Sequence, residues 1–264
     1  MDSQSAHNAE VNNSFEKADT MRKILYFLYQ PYKWLIFIPY LTGSTIFFGF
    51  LTVILLPITN PKITSLICGK IWSRLNGYFT PMFVRVSGNE NIDSAQSYVI
   101  VSNHQSQYDI FVLYGWLKVD FKWVMKHELR KIPGLGIGCE KVGHIFIDRS
   151  NHERALASLN EAKKKIVNGT SVIFFPEGTR SMDGVMMPFK KGAFKMALDL
   201  GLPVLPVTII GSKNILPAGT MKLFPGRVRL VIHAPVAVEG YNDENIQELM
   251  DRVHGIIESA LPPG

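Results

Sequence analysis

Cysteine is almost absent from this sequence. Cys68 and Cys139 are the only two in 264 residues. That is too few for a disulfide framework, and both read as free thiols in a reducing compartment. No CxxC, no HExxH and no dense cluster of histidine and cysteine occurs, so the common zinc sites are missing and no metal is expected. There is no GxSxG elbow, which removes the usual α/β-hydrolase nucleophile. Neither GxGxxG nor GxxxxGK followed by Ser or Thr is present, which removes the common nucleotide loops. Internal repeats and long low-complexity tracts are lacking as well. One further absence bears on location: from Trp34 to Pro61 there is no charged residue, and Lys33 and Lys62 bracket the gap.

Those 28 residues would extend about 42 Å as a helix, against about 30 Å for a bilayer's hydrocarbon core. Membrane contact is the reading. Pro39, Gly43, Gly49 and Pro57 interrupt the run, which suits either one tilted span or a bent, re-entrant pair of helices. The next stretch, KITSLICGKIWSRLNGYF, carries Ile63, Leu66, Ile67, Ile71, Leu75 and Tyr78 at helical spacing on one side, with Lys62, Lys70 and Arg74 on the other. This is a helix lying in the interface with its cations toward headgroups, or an amphipathic helix packed on a globular domain, or both. Residues 1–20 are polar and hold Asp2, Glu10, Glu16 and Asp19, unlike a secretory signal; a disordered tail is expected.

Hydrophobic residues make up 47% and charged residues 19%, with a net charge of +6. A basic excess favours anionic partners, namely phospholipid, nucleotide phosphate or nucleic acid. The charge-free run makes a nucleic-acid binder the poorest fit of these.

After residue 82 the texture changes. Short runs rich in Val, Ile and Phe read as strands at 82–86, 97–102, 121–125, 144–148, 171–175, 203–210 and 227–233. Several are apolar throughout, as in a sheet covered on both faces. Helices fit between them. One runs from a capping-box pair, Ser150 and Glu153, to Gly169, with Ala155, Leu156, Leu159, Ala162 and Ile166 on one face. A second, KGAFKMALDLG, stops at Gly201, and a third closes the chain. The alternation predicts an α/β fold with a mostly parallel central sheet flanked by helices. The expected organisation is a tail over 1–20, membrane-embedded or interfacial helices over 21–81, and an α/β domain over 82–264.

The stretch VSNHQSQYDIF holds His104 and, five residues on, Asp109. Taken alone it is punctuation: Ser106 and Asp109 have the S-x-x-D form of a helix N-cap. Five residues on one helix stand about 140° apart around its axis, so the two side chains do not share a face. They can meet if His104 lies in the turn before the helix and folds back over its first turn. Asp109 could then accept from one ring nitrogen and leave the other as a base. No protein nucleophile is evident beside them, so the nucleophile would be a substrate hydroxyl.

Four further stretches share the chain with this one. FFPEGTRS (174–181) leaves a strand through Pro176 and presents Glu177, Gly178, Thr179 and Arg180, whose planar fork suits a phosphate. KHELRKIPGLG (126–136) supplies Lys126, Arg130 and Lys131 before a Pro-Gly turn. GHIFIDR (143–149) ends a strand with Asp148 and Arg149, and LPVLPVTIIGS (202–212) follows. With NHQSQYD these five blocks, in order over 101–212, resemble the glycerolipid acyltransferase family, and most closely its 1-acyl-sn-glycerol-3-phosphate acyltransferases. Lys190 and Lys191 also suit that family's basic stretch after its EGTR block.

The resemblance implies transfer of a fatty acyl group from acyl-CoA or acyl carrier protein, as co-substrate rather than bound cofactor. The acceptor is the sn-2 hydroxyl of lysophosphatidic acid and the product is phosphatidic acid. His104 is then the general base and Asp109 the residue that orients it, with no acyl-enzyme. Arg180 receives the phosphate, Gly178 and Thr179 let backbone approach it, Lys126 is a second cation, and Glu177 orients the loop or holds Arg180. Phospholipid and lysophospholipid are the implied partners, at the cytoplasmic face of a membrane. The same residues would serve a lysophospholipid acyltransferase with another acceptor, differing only in the headgroup pocket.

Overall fold

The computed structural model describes residues 20–21, 23–148, 152–164, 166 and 169–262. Seven strands form one sheet: β1 Met82–Ser87, β2 Val99–Ser102, β3 Asp120–Lys126, β4 Ile145–Ile147, β5 Thr170–Phe174, β6 Val204–Ile210 and β7 Gly226–Ile232. Their spatial order is β1-β7-β6-β2-β5-β3-β4. Every neighbouring pair is parallel except β6 with β7. The all-apolar runs read from the sequence are the central strands β6, β2 and β5, buried along their length. β7 alternates buried and exposed residues, because only one of its faces is covered.

The helices of the domain are α3 Tyr108–Trp116, α4 Leu135–Lys141, α5 His152–Lys163, α6 Gly192–Leu200 and α7 Ile246–Ser259. One face of the sheet is covered by α5, α6 and α7, through Ala162, Ile166, Phe194, Leu249 and Val253. The other is covered by α3, through Phe111, Val112 and Leu113. On α5 Ala162 is buried and Leu159 packs against the cluster, as expected, but the helix stops at Lys163, short of Gly169, so the buried Ile166 follows it in a bend. The tail over 1–19, the cap residue Ser150, Arg149 and the side chains of Glu153, Ala155 and Leu156 lie outside the described residues.

The apolar run does not break at Pro39, Gly43 or Gly49. It is one helix, α1 Lys23–Leu55, 33 residues long. Pro39 has no N–H to donate, and the turn before it widens: at Lys33–Phe37 the bonding is i to i+5, with Ile38 N–H reaching back to Lys33 O. Beyond a turn at 56–60, a second helix (α2) covers 61–79, capped by Asn60, whose side chain accepts from Ile63 N–H at 2.9 Å. The two form a hairpin joined by side chains. Asn76 Nδ2 donates to Ser44 Oγ at 3.2 Å, and Trp72 Nε1 donates to Thr45 Oγ1 at 3.2 Å.

The inner face of α2 is the reverse of an ordinary amphipathic packing. Thr64, Ser65, Cys68, Ser73 and Asn76 are buried, whereas Ile63, Leu66, Ile71 and Tyr78 are exposed. Ser65 Oγ meets Tyr114 Oη at 2.6 Å, and the Tyr114 ring lies against Gly69, where a Cβ would collide with it. Arg74 is not free for headgroups either. Its Nε donates to Gly115 O at 2.9 Å, in the last turn of α3, where a cation is favoured. The α1 helix is exposed in the same way: its most apolar stretch is 17% buried, unlike the mostly buried core helix of a soluble protein.

The hairpin also touches α4 backbone to backbone. Gly49 packs on the Gly134 carbonyl, and Gly138 lies against the Gly49 Cα, an approach that small residues alone permit. Gly49→Val should therefore push α1 off α4 at a cost of about 1–3 kcal/mol. Thermal unfolding in detergent would report this as a lowered midpoint, with Gly43→Val, which faces open space, as the matched control.

Candidate active site

β2 and β5 lie side by side at the centre of the sheet, and their chains leave in opposite directions. The chain from β2 passes through α3 on one face and over β5 to β3. The chain from β5 passes through α6 on the other face and over β2 to β6. Such a divergence opens a crevice at the carboxyl ends of the strands. NHQSQYD follows β2 and PEGTR follows β5, so two blocks more than seventy residues apart are brought together there.

Asn103 ends the strand with its side chain. Asn103 Nδ2 donates to Ile209 O at 2.9 Å, and Asn103 Oδ1 accepts from Ile209 N–H at 2.8 Å. That amide replaces a ladder pair to β6 and frees the backbone to turn. His104 then sits in the turn ahead of α3, not on it. Its Nδ1 lies 2.9 Å from Asp109 Oδ2. The same oxygen accepts from Gln105 N–H at 2.8 Å and Ser106 N–H at 2.9 Å. Ser106 Oγ accepts from Tyr108 N–H at 3.1 Å and donates to Leu216 O at 2.7 Å. The helix cap and the His–Asp pair are one structure: the carboxylate that closes the capping box also holds the imidazole.

Asp109 is fully buried, and its carboxylate can only accept, so the proton rests on His104 Nδ1 and the lone pair on Nε2. Among the described residues nothing bonds Nε2, and the ring is 16% exposed. The ring is stacked on Phe175 at 3.8 Å between centroids and 10° between planes.

Glu177 is placed by the fold rather than exposed. Its Oε1 accepts from His104 N–H at 2.7 Å and its Oε2 from Met187 N–H at 3.0 Å. Burial pushes its carboxyl above the usual range, and these two N–H groups pull it back. Ser181 N–H donates to His104 O at 2.9 Å, so the histidine backbone is held on both sides by the PEGTR segment. Gly178 has φ 78°, a left-handed conformation, and the Lys190 amine lies where its Cβ would be. Thr179 is exposed and Arg180 half-buried; among the described residues no partner engages the guanidinium. Lys126 is exposed at the carboxyl end of β3, where its ladder partner is Ile147 on β4 rather than any EGTR residue.

A family model described as Acyltransferase matches residues 83–210. A 1-acyl-sn-glycerol-3-phosphate acyltransferase of Chlamydomonas reinhardtii is 36% identical over 68% of this chain and 53% of its own. One of Limnanthes douglasii is 30% identical over 83% of this chain and 78% of its own. The chain belongs to this acyltransferase family. The crystal structure of the 1-acyl-sn-glycerophosphate (LPA) acyltransferase PlsC of Thermotoga maritima is 32% identical, covers 90% of this chain and 95% of its own, and superposes with a TM-score of 0.75. The chain thus spans about half the length of the algal relative and most of the other two. The sequence pattern pointed to His104, Asp109 and the EGTR residues but gave no part to Phe175, Asn103 or Met187. The doubled Phe before Pro176 was the available signal, and it looked like ordinary strand interior.

Removing the Glu177 carboxylate leaves two part-buried N–H donors unpaired. Glu177→Ala should destabilise the fold by about 1–3 kcal/mol, and Glu177→Gln, which keeps one acceptor, by less. Chemical denaturation in detergent would rank the two; equal losses would remove the double-acceptor role.

Proposed function

We propose that the protein transfers a fatty acyl group from an acyl thioester to the sn-2 hydroxyl of lysophosphatidic acid, giving phosphatidic acid. The observation that carries the reading is the buried Asp109 carboxylate 2.9 Å from His104 Nδ1, with Nε2 left unbonded beside the EGTR turn. The lysophosphatidic acid acceptor is supported by what the relatives are named for. His104 Nε2 takes the proton of the acceptor hydroxyl. The oxygen attacks the thioester carbonyl, forming the new C–O bond. As the tetrahedral intermediate collapses the C–S bond breaks, and the imidazolium returns its proton to the departing thiolate. Asp109 holds the tautomer and offsets the imidazolium charge. No acyl-enzyme forms. Acyl-CoA and acyl carrier protein both present the thioester that this chemistry needs.

Arg180 receives the acceptor's phosphate, with Gly178 and Thr179 offering backbone and Lys190 or Lys126 adding charge. Glu177 orients the turn without touching substrate. The exposed apolar sides of α1 and α2 lie in the bilayer, at the cytoplasmic face of a membrane. Their burial there removes from water the side chains of Leu35, Phe47, Ile54, Ile58, Ile63 and Leu66, which the domain leaves uncovered. A lysolipid chain then reaches the site without crossing water, which would cost about 0.8 kcal/mol per CH₂.

His104→Ala should abolish transfer while leaving membrane association intact. Asp109→Asn keeps an oxygen for the two backbone N–H groups but loses the charge, and should lower kcat by about 10²–10⁴-fold with the fold retained. Turnover of purified variants with both donors checks this, and full activity of His104→Ala removes the base. Arg180→Ala should raise the apparent KM for lysophosphatidic acid about ten- to a hundredfold, with a smaller effect on kcat. A panel of lysolipids run alongside identifies the acceptor; turnover of the others without lysophosphatidic acid would refute the headgroup assigned.

A further inference from the structure

The sheet face opposite α3 is left bare at one edge. In the parallel register Phe83 stands beside Arg227, and Arg85 beside Arg229. Their neighbours Val84, Val86, Val228, Leu230 and Ile232 point into the core on the other face. Phe83, Arg85, Arg227 and Arg229 therefore share the outer face, and all four are exposed. Among the described residues no carboxylate pairs with any of the three arginines. Adjacent strands lie about 4.8 Å apart, and like charges directly opposite one another are destabilising. Among the described residues no carboxylate offsets this cost.

Position and composition indicate what does compensate it. β7 runs antiparallel to β6, and Arg229 is the register partner of Ile210, the last residue of β6. The arginines thus stand at the same end of the sheet as His104. α1 packs with the cluster on the α3 face and meets the loop that leads into β7: the Tyr26 ring packs on Phe224 at 5.7 Å, and Arg227 follows three residues on. On α1 itself Ile24, Leu25, Phe27 and Leu28 flank Tyr26 and are exposed, and Phe83 and Met221 are exposed as well. Exposed apolar side chains together with arginines that no described carboxylate pairs are the composition of a lipid interface, with the cations at headgroup depth.

We propose that Arg85, Arg227 and Arg229 form a binding face for the anionic headgroups of a phospholipid bilayer, setting the tilt of the domain over the membrane that holds the hairpin. The inference rests on the membrane placement of α1 and α2 proposed above, but not on the acyl-transfer chemistry. It concerns charge density, so lysine should serve in place of arginine.

The test uses the full chain, diluted from detergent into an equal mixture of phosphatidylcholine vesicles and vesicles holding about 30 mol% phosphatidylglycerol, each carrying a different dye. Flotation and sorting give the partition between the two. The wild-type chain should favour the anionic vesicles, and the Arg85→Gln/Arg227→Gln/Arg229→Gln variant should lose about fivefold of that preference per arginine. The preference should fade at about 1 M salt. The corresponding triple Lys variant should keep it. Because the substitutions relieve repulsion, thermal unfolding should show the Gln variant no less stable than wild type. Equal partition of wild type and Gln variant overturns the proposal. So does loss of preference in the Lys variant, which would instead indicate a guanidinium-reading acidic protein. If the wild-type chain floats with neither vesicle, the membrane placement of the hairpin falls first, and the proposal with it.

Discussion

One buried carboxylate oxygen organises the centre of this protein. Asp109 Oδ2 accepts from the His104 ring, from Gln105 N–H and from Ser106 N–H, all between 2.8 and 2.9 Å. Those bonds end a strand, start a helix and set a tautomer at once. A buried charge is tolerated when several donors face it, and here three do so at the amino end of a helix, where the backbone dipole favours an anion. The neighbouring segment repeats the device with Glu177, which ties the His104 backbone to Met187. Two acids thus hold a loop that has no regular structure of its own, and the histidine is left with one nitrogen free.

The hairpin inverts the usual order of a helix packed on a domain. Its polar and small residues face the domain, and its large apolar residues face outward. In water that arrangement would be costly; against lipid the order inverts, because a polar side chain then needs a protein partner and an apolar one does not. Ser44, Thr45, Trp72 and Asn76 bond each other across the hairpin, and Ser65 bonds Tyr114 of the domain. The His–Asp crevice and the apolar surface are thus joined through hydrogen-bonded side chains, which suits the proposed transfer between lipids.

Much of this was legible along the chain. All seven strands stand where short β-branched runs stood, because a strand's periodicity is a local property. Ser106 and Asp109 announced the helix cap, and the cap is present. Other features were not legible. The spacing of His104 and Asp109 did not show contact, since that depends on where the strand ends, and Asn103 sets that through β6, more than a hundred residues on. The apolar side of α2 was visible, but its direction was not: periodicity identifies a stripe without saying whether protein or lipid covers it. Pro39 suggested a break, and a widened turn absorbed it.

By itself, then, the sequence determined the elements, their alternation, the apolar hairpin and the identity of the polar residues gathered at the site. Each rests on interactions within a few residues, where side-chain period, capping and the absence of charge suffice. Only the tertiary structure decided that β7 runs against β6, that Phe175 lies under the imidazole, that Glu177 faces inward, and that three arginines align on adjacent strands. These depend on the register and packing of segments far apart in the chain. Such registers are set by the summed burial of a whole core, and no local pattern carries that sum.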